Sequence, residues 1–213
     1  MAATVALVLF SVFIGVYGPR LGNRQQMPGG TTLIELAGAV EPRHAQRVFQ
    51  ARALADSPPL QPGEVGERIS AAIGRPLQAP SPPDFELRWL SIDDVRLPGA
   101  SGVLAFCSAE PRTDSSVGRD AFATVIVLRD EDRFTVFDRH GRPTPMPEGE
   151  VFSVALRAIG EGATLAAFRT GDLIFAVQTS SPDLSAELVA ALETGAVAAL
   201  RAPGAPWSGS EVR

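Results

Sequence analysis

The sequence contains no lysine, and all 19 of its basic residues are arginine. Without lysine the chain cannot form a G-x-x-x-x-G-K phosphate-binding loop, and a G-x-G-x-x-G motif is also absent. The arginines are scattered, the net charge is −5, and no basic stripe with interleaved aromatic residues occurs. These features argue against nucleic acid as a partner.

Cysteine and histidine are scarce. The single cysteine, Cys107, excludes an intramolecular disulfide and a cysteine cluster for zinc, and its apolar neighbours predict a small buried side chain. With only His44 and His140, a metal site would depend on carboxylates, and no HExxH or CxxC spacing is present. We therefore predict no metal and no cofactor.

Charge is missing from the first 19 residues. The apolar run Ala2–Tyr17 would form a helix of roughly 24 Å, close to the roughly 30 Å of a hydrocarbon core. We predict that residues 1–19 are a transmembrane anchor and that residues 2–17 contact lipid. A signal peptide and a buried core helix are the other interpretations. A signal peptide would carry a basic region before the run and a small-x-small cleavage site after it, and neither is seen.

The remaining chain has the composition of a folded domain, with 45% hydrophobic and 20% charged residues. We predict an α+β fold with an antiparallel sheet of about five strands and three helices. The predicted organisation is a juxtamembrane connector over 20–40, a soluble α+β domain over 41–198 and a flexible tail over 199–213. Helices are expected over Glu41–Asp56, with Pro42 in the first turn, over Pro62–Ala72, and after the cap Ser181.

Two hairpins are predicted from apolar segments joined by turn residues. The first joins a strand over 121–128 to one over 133–137 through a charged turn, and the second joins 164–169 to 173–179 through Thr170-Gly171-Asp172. Further strands are expected over 85–90 and 102–108. Residues 138–143 are read as a tight turn and 143–150 as a loop.

No constellation typical of catalysis emerges, and we predict that the chain is not an enzyme. His140 beside Asp138 is the most catalytic pattern, but it lies in a predicted turn and is interpreted as solvated. His44, between arginines in a helix, receives the same interpretation. Ser101 lacks the spacing and the strand-before-turn position of a nucleophile elbow, and the acidic pairs fall in predicted turns. No catalytic, cofactor-binding or metal-binding residue is assigned.

Three segments follow one another in an order that resembles the extracytoplasmic, C-terminal half of bacterial transmembrane anti-sigma factors. The first is the helical segment carrying His44. The second runs from Val65 through Gly74-Arg75-Pro76-Leu77 to Phe85–Leu97. The third is the closing segment Ala166–Ser180, with Arg169-Thr170-Gly171-Asp172-Leu173, followed by leucines up to Leu192. The resemblance covers roughly residues 4–195 and consists of short motifs.

The resemblance implies a single-pass protein of the inner (cytoplasmic) membrane whose soluble domain is extracytoplasmic and acts as a sensory or scaffold module in transcription regulation. Family members also carry a cytoplasmic N-terminal domain, usually with an H-x-x-x-C-x-x-C zinc motif, which this chain lacks. Any sigma factor would therefore be bound only through an upstream segment or a partner chain. Arg20 and Arg24 favour the opposite, cytoplasmic orientation, on the assumption that Met1 is the true start.

Two other functions remain open at this point. One is a membrane-tethered protein-binding or envelope-assembly module with no link to a sigma factor, which uses a sheet edge or the region of Arg88 and Trp89. The other is a small hydrolase that uses His140 and Asp138.

Overall fold

The computed structural model describes residues 31–55, 58–112, 121–130, 134–137, 142–156 and 163–201. The predicted anchor over residues 1–19 and residues 202–213 of the predicted tail lie outside these ranges. Within the described ranges, no helix has the length and apolar character needed to span a bilayer.

The described residues form two helices, then eight strands, then a third helix. The helices are α1 (Leu33–Ala55), α2 (Pro62–Ile73) and α3 (Pro182–Arg201), and the strands are β1 (Phe85–Leu97), β2 (Ala100–Pro111), β3 (Ala121–Asp130), β4 (Thr135–Phe137), β5 (Pro143–Pro145), β6 (Phe152–Ala155), β7 (Thr164–Thr170) and β8 (Leu173–Thr179).

Six of the strands form one antiparallel sheet in the order β1-β2-β3-β8-β7-β6, while β4 and β5 form a separate two-stranded ribbon. The predicted α+β class with three helices and an antiparallel sheet is therefore confirmed, and the main sheet has six strands instead of about five.

The predicted hairpin between residues 121–128 and 133–137 is wrong. Strand β3 pairs with β2 along one edge and with β8 along the other, so neither edge is free for β4. Strand β4 pairs instead with β5, which lies inside the predicted loop over 143–150. Strand β6 has no counterpart among the predicted strands; it extends the sheet beyond β7.

The first helix begins at Leu33 and not at Glu41, so residues 33–40 of the predicted connector form its first two turns. A capping box starts it: the Glu35 N–H donates to Thr32 Oγ1 (3.2 Å), and the Thr32 N–H donates to a Glu35 carboxylate oxygen (2.8 Å). Pro42 is consequently inside the helix. Burial of Leu36 and Val40 against the sheet outweighs the hydrogen bond that Pro42 removes.

The hairpin over 164–179 and the other two helices agree with prediction. Gly171 adopts a left-handed φ of 60° in the β7–β8 turn, and Gly74 ends α2 with a φ of 72°. Ser181 Oγ accepts a hydrogen bond from the Leu184 N–H (3.3 Å) at the start of α3. Helix α3 continues through Gly195 to Arg201.

The sheet is covered on both faces. Helices α2 and α3 pack on one face around the stacked rings of Phe168 and Phe175, whose centroids are 5.1 Å apart. Helix α1 and the β4–β5 ribbon, with Phe134, cover the other face. We call these the α2/α3 face and the α1 face.

Candidate functional site at the contact between helix α1 and the sheet

His44 is the histidine that the structure describes, and it is buried between α1 and the sheet with 3% of its surface exposed. Its Nδ1 lies 2.8 Å from Thr124 Oγ1 on β3, within hydrogen-bonding distance. Its ring meets Phe106 of β2 edge-on, with the centroids 5.8 Å apart. The imidazole therefore attaches the middle of α1 to two central strands.

The burial determines the charge of this histidine. Desolvation lowers the pKa of His44 from 6.5 to about 4, because the protonated ring would lose its hydration without gaining a neighbouring negative charge. His44 is consequently neutral at pH 7. The interpretation of His44 as a solvated side chain is wrong: the four-residue spacing of Leu36, Val40 and His44 places all three on the buried side of the helix.

A row of four aligned residues, three of them polar, crosses the sheet beneath α1. Ser91, Phe106, Thr124 and Gln178 occupy successive register positions on β1, β2, β3 and β8. Gln178 is fully buried, and neither atom of its amide has a hydrogen-bonding partner among the residues that the structure describes. An unpartnered buried amide carries a desolvation cost. The α1 face therefore includes polar groups that apolar packing alone does not require.

Contacts on either side of His44 fix the rest of α1. The Thr31 hydroxyl donates to the Pro98 carbonyl (2.6 Å) just before the helix, and Arg47 forms a 2.7 Å ion pair with Asp93 of β1 after it. Polar contacts thus hold the helix before its first turn, at His44 and one turn beyond His44.

A second polar cluster lies at the other end of the sheet, around the β7–β8 turn. Asp172 in this turn forms a 2.7 Å ion pair with Arg75, which follows α2. Arg169, on β7, lies 3.6 Å from the buried Asp130 of β3, whose other carboxylate oxygen accepts the Phe134 N–H (3.0 Å). The cluster joins α2, β3 and the β7–β8 hairpin.

A surface groove of about 770 Å³ lies between α2, the segment 76–79 and the end of α3. Its floor is fixed by Ser70, whose hydroxyl donates to the Leu77 carbonyl (3.0 Å) and accepts from the Leu77 N–H (2.8 Å). Gly66 permits this close approach, since a Cβ there would lie 3.1 Å from the Leu77 carbonyl oxygen. The groove is lined mainly by small side chains, with Glu67 as its charged group.

The residues singled out in the sequence do not come together in one place. Asp138 and His140 lie outside the described residues, and Ser101 is exposed on β2. Cys107 is buried, as predicted, and burial raises the pKa of its thiol to about 12. Trp89 is buried in the α2/α3 face, so the interpretation of it as a contact surface is wrong.

The described part of the chain holds no group of three or more histidine, cysteine, aspartate or glutamate side chains positioned to bind a metal ion. Comparison with protein-family models, with curated proteins and with solved structures finds no match to this chain. The arrangement around His44 is suited to holding a helix on a sheet, because its polar atoms are covered and face protein groups instead of a cleft.

Proposed function

We propose that this chain is a membrane-anchored, anti-sigma-factor-like transcriptional regulator and that the described domain is its extracytoplasmic sensory and scaffold module. Residues 2–17 would lie in the inner membrane. A sigma factor would be bound by an upstream segment or by a partner chain. The role of the described domain in this proposal is conformational and not catalytic.

The observation that supports the proposal is the contact between the two motifs on which the resemblance rests. Arg75 of the Gly-Arg-Pro-Leu segment forms its 2.7 Å ion pair with Asp172 of the closing Arg-Thr-Gly-Asp-Leu segment. Leu77, from the first motif, and Leu173, from the second, belong to the same hydrophobic core. The quoted residues thus have a common structural role, since they join α2 to the β7–β8 hairpin.

Helix α1 is the element best placed to carry a signal between the sheet and the membrane. It is the first helix of the described domain, and it contacts β1, β3 and β6. A change in the sheet that weakens the contacts of Val40 and His44 would release α1 and alter the segment that leads to the anchor. Release of α1 would also make that segment accessible to a protease.

The first experiment measures topology. A periplasm-active reporter and a cytoplasm-active reporter are fused separately after Arg213 of the full chain. We expect activity only from the periplasm-active fusion. Activity of the cytoplasm-active fusion alone would reject the extracytoplasmic assignment and would favour the orientation indicated by Arg20 and Arg24.

The second experiment measures transcription. Deletion of the gene should raise the transcripts of one alternative sigma factor's promoters, and the wild-type chain should restore them. Val40→Asp, which places a charge beneath α1, should behave like the deletion, whereas Val151→Asp, at a valine that is 48% exposed, should behave like the wild type. Unchanged transcripts in the deletion strain would contradict the regulatory proposal.

A membrane-tethered protein-binding module is the second candidate, and the groove between α2 and α3 favours it. A pocket of about 770 Å³ with small lining residues can accept an apolar side chain or a short peptide. Affinity purification of the full chain from membranes would test it. Loss of an envelope protein with Ala79→Trp in the groove, but not with Ala186→Trp at an exposed position of α3 outside the groove, would support this function.

A further inference from the structure

The outward side of α1 carries a line of apolar and small residues that the domain leaves uncovered. Phe49 is 90% exposed and Ile34 is 42% exposed. Between them lie Gly38, Pro42 and Ala45, also on the exposed side of the helix. We call these five residues the outer stripe.

The outer stripe is a continuous surface and not a set of isolated side chains. Its members are separated by four, four, three and four positions, which places all five within a sector of about 80° around the helix axis. Leu36, Val40 and His44 occupy the opposite side and are buried on the sheet. A helix with apolar residues on both sides is expected to be covered on both.

We propose that a second copy of this chain covers the outer stripe, with the two α1 helices packed antiparallel around a two-fold axis between residues 41 and 42. This inference does not depend on the proposed regulatory function.

The order of residues along the stripe fits such an axis. Antiparallel packing places Ile34 of one copy opposite Phe49 of the other, and Gly38 opposite Ala45. The small residues lie near the axis, where two crossed helices are closest, and the large ones lie where the helices diverge. One patch then contacts its own copy, as a two-fold interface requires.

The helix dipoles and Glu41 favour the antiparallel orientation. Antiparallel packing opposes the two helix dipoles, whereas parallel packing aligns them. Parallel packing would also set Glu41, which lies at the margin of the stripe, beside the Glu41 of the other copy. Arg47 faces the sheet, where it pairs with Asp93, and takes no part in the interface.

The antiparallel arrangement also offers a hydrogen-bond donor to a backbone carbonyl of α1. Pro42 has no N–H, so the Gly38 carbonyl lacks its usual helical donor. Antiparallel packing brings the exposed Gln46 of the other copy next to Gly38. Its amide can donate the missing hydrogen bond.

Cysteine cross-linking of the full chain tests both the interface and its orientation. Cys107 is buried, so it does not compete. Full-length Gly38→Cys and Ala45→Cys chains, tagged to differ in size, are mixed in detergent micelles and mildly oxidised. A Cβ at position 38 meets no atom within 4 Å in the isolated domain, so this variant should fold.

We expect the 38–45 mixed disulfide to exceed both self-linked dimers, because a disulfide requires Cβ atoms about 4 Å apart. Predominant self-linking of the Gly38→Cys chain would overturn the antiparallel arrangement. Absence of cross-links in every mixture would overturn the dimer.

Dimer affinity of the full chain gives an independent measurement. Phe49→Glu should raise the dimer Kd at least about tenfold. The matched control Val151→Glu, at a valine that is 48% exposed but lies off the stripe, should leave it unchanged. Gly38→Leu adds apolar surface yet should also weaken the dimer, since it prevents close approach. Equal effects of Phe49→Glu and Val151→Glu, or a tighter dimer with Gly38→Leu, would overturn the proposal.

Discussion

The two faces of the main sheet are built from different kinds of buried side chain. On the α2/α3 face, the buried polar residues Thr179 and Ser185 lie beside the start of α3, and the rest of that core is apolar. On the α1 face, five of the residues that the structure describes are buried and polar or charged: Thr31, His44, Thr124, Asp130 and Gln178. Apolar packing therefore stabilises the α2/α3 face under most conditions. The stability of the α1 face also depends on hydrogen bonds and on the protonation of His44.

The largest expected effect comes from the α2/α3 face. Phe175→Ala should lower the free energy of unfolding by about 3–5 kcal/mol, because it leaves a cavity beside Phe168 in a fully buried core. Urea denaturation measures the loss. Phe137→Ala, at a partly exposed ring on β4, should change stability by no more than about 0.5 kcal/mol. Similar losses of stability for the two variants would contradict the claim that the apolar core of the α2/α3 face contributes most to stability.

The α1 face should lose stability in acid. The pKa of His44 is about 4 in the folded state and 6.5 in the unfolded state, so between these values only the unfolded chain binds the proton. Stability should therefore fall as the pH decreases below 6.5, by about 2 kcal/mol at pH 5, and the loss should level off below about pH 4. Urea denaturation at pH 7 and pH 5 measures it.

His44→Gln provides the control for that pH series. Glutamine does not titrate and can still hydrogen-bond with Thr124. The difference between the wild-type and variant pH profiles isolates His44 from the carboxylates. Identical profiles would mean that His44 does not make the α1 face sensitive to acid.

Removing the unpartnered amide should stabilise the α1 face. Gln178→Leu keeps a similar volume while eliminating two buried polar atoms, and it should raise the free energy of unfolding by about 1 kcal/mol. Thermal denaturation would detect the gain. A loss of comparable size would indicate that the amide is satisfied in solution, for example by a buried water.

The smallest effect is expected at the Arg47–Asp93 ion pair, because both side chains remain partly exposed. Arg47→Gln should cost less than about 1 kcal/mol. Repeating the measurement in 1 M salt should reduce the difference between variant and wild type, since mobile ions screen exposed pairs. A loss that persists in salt would show that the arginine stem contributes by packing.

Sequence patterns were sufficient where the determining interactions are local. The β7–β8 hairpin follows from Thr170-Gly171-Asp172, and α3 follows from its Ser181 cap and its leucines. The Thr32-Leu33-Ile34-Glu35 capping box was an available signal for the start of α1, but the predicted helix began instead at Glu41, with Pro42 in its first turn. The burial of His44 could have been found from its spacing to Leu36 and Val40.

Long-range pairing was not predictable in the same way. The segment over 133–137 has the alternation of a strand, and the pattern alone assigns it to its neighbour β3. The competing partner β8 lies far along the chain and takes that edge of β3. The hydrogen bond between His44 and Thr124 depends on the same kind of distant contact, so no local motif indicates it.

The strand order of the main sheet has a consequence for how the protein folds. Strands β1 to β3 form one meander and β6 to β8 form another, and both pair neighbours along the chain. The central β3–β8 ladder, which joins residues such as Val125 and Val177, instead requires closure of a long loop. We expect the two meanders to form early and the β3–β8 closure to limit the folding rate. Because β3 and β8 are hydrogen-bonded along both edges, we expect the amides of that ladder to be among the slowest in the sheet to exchange with deuterium.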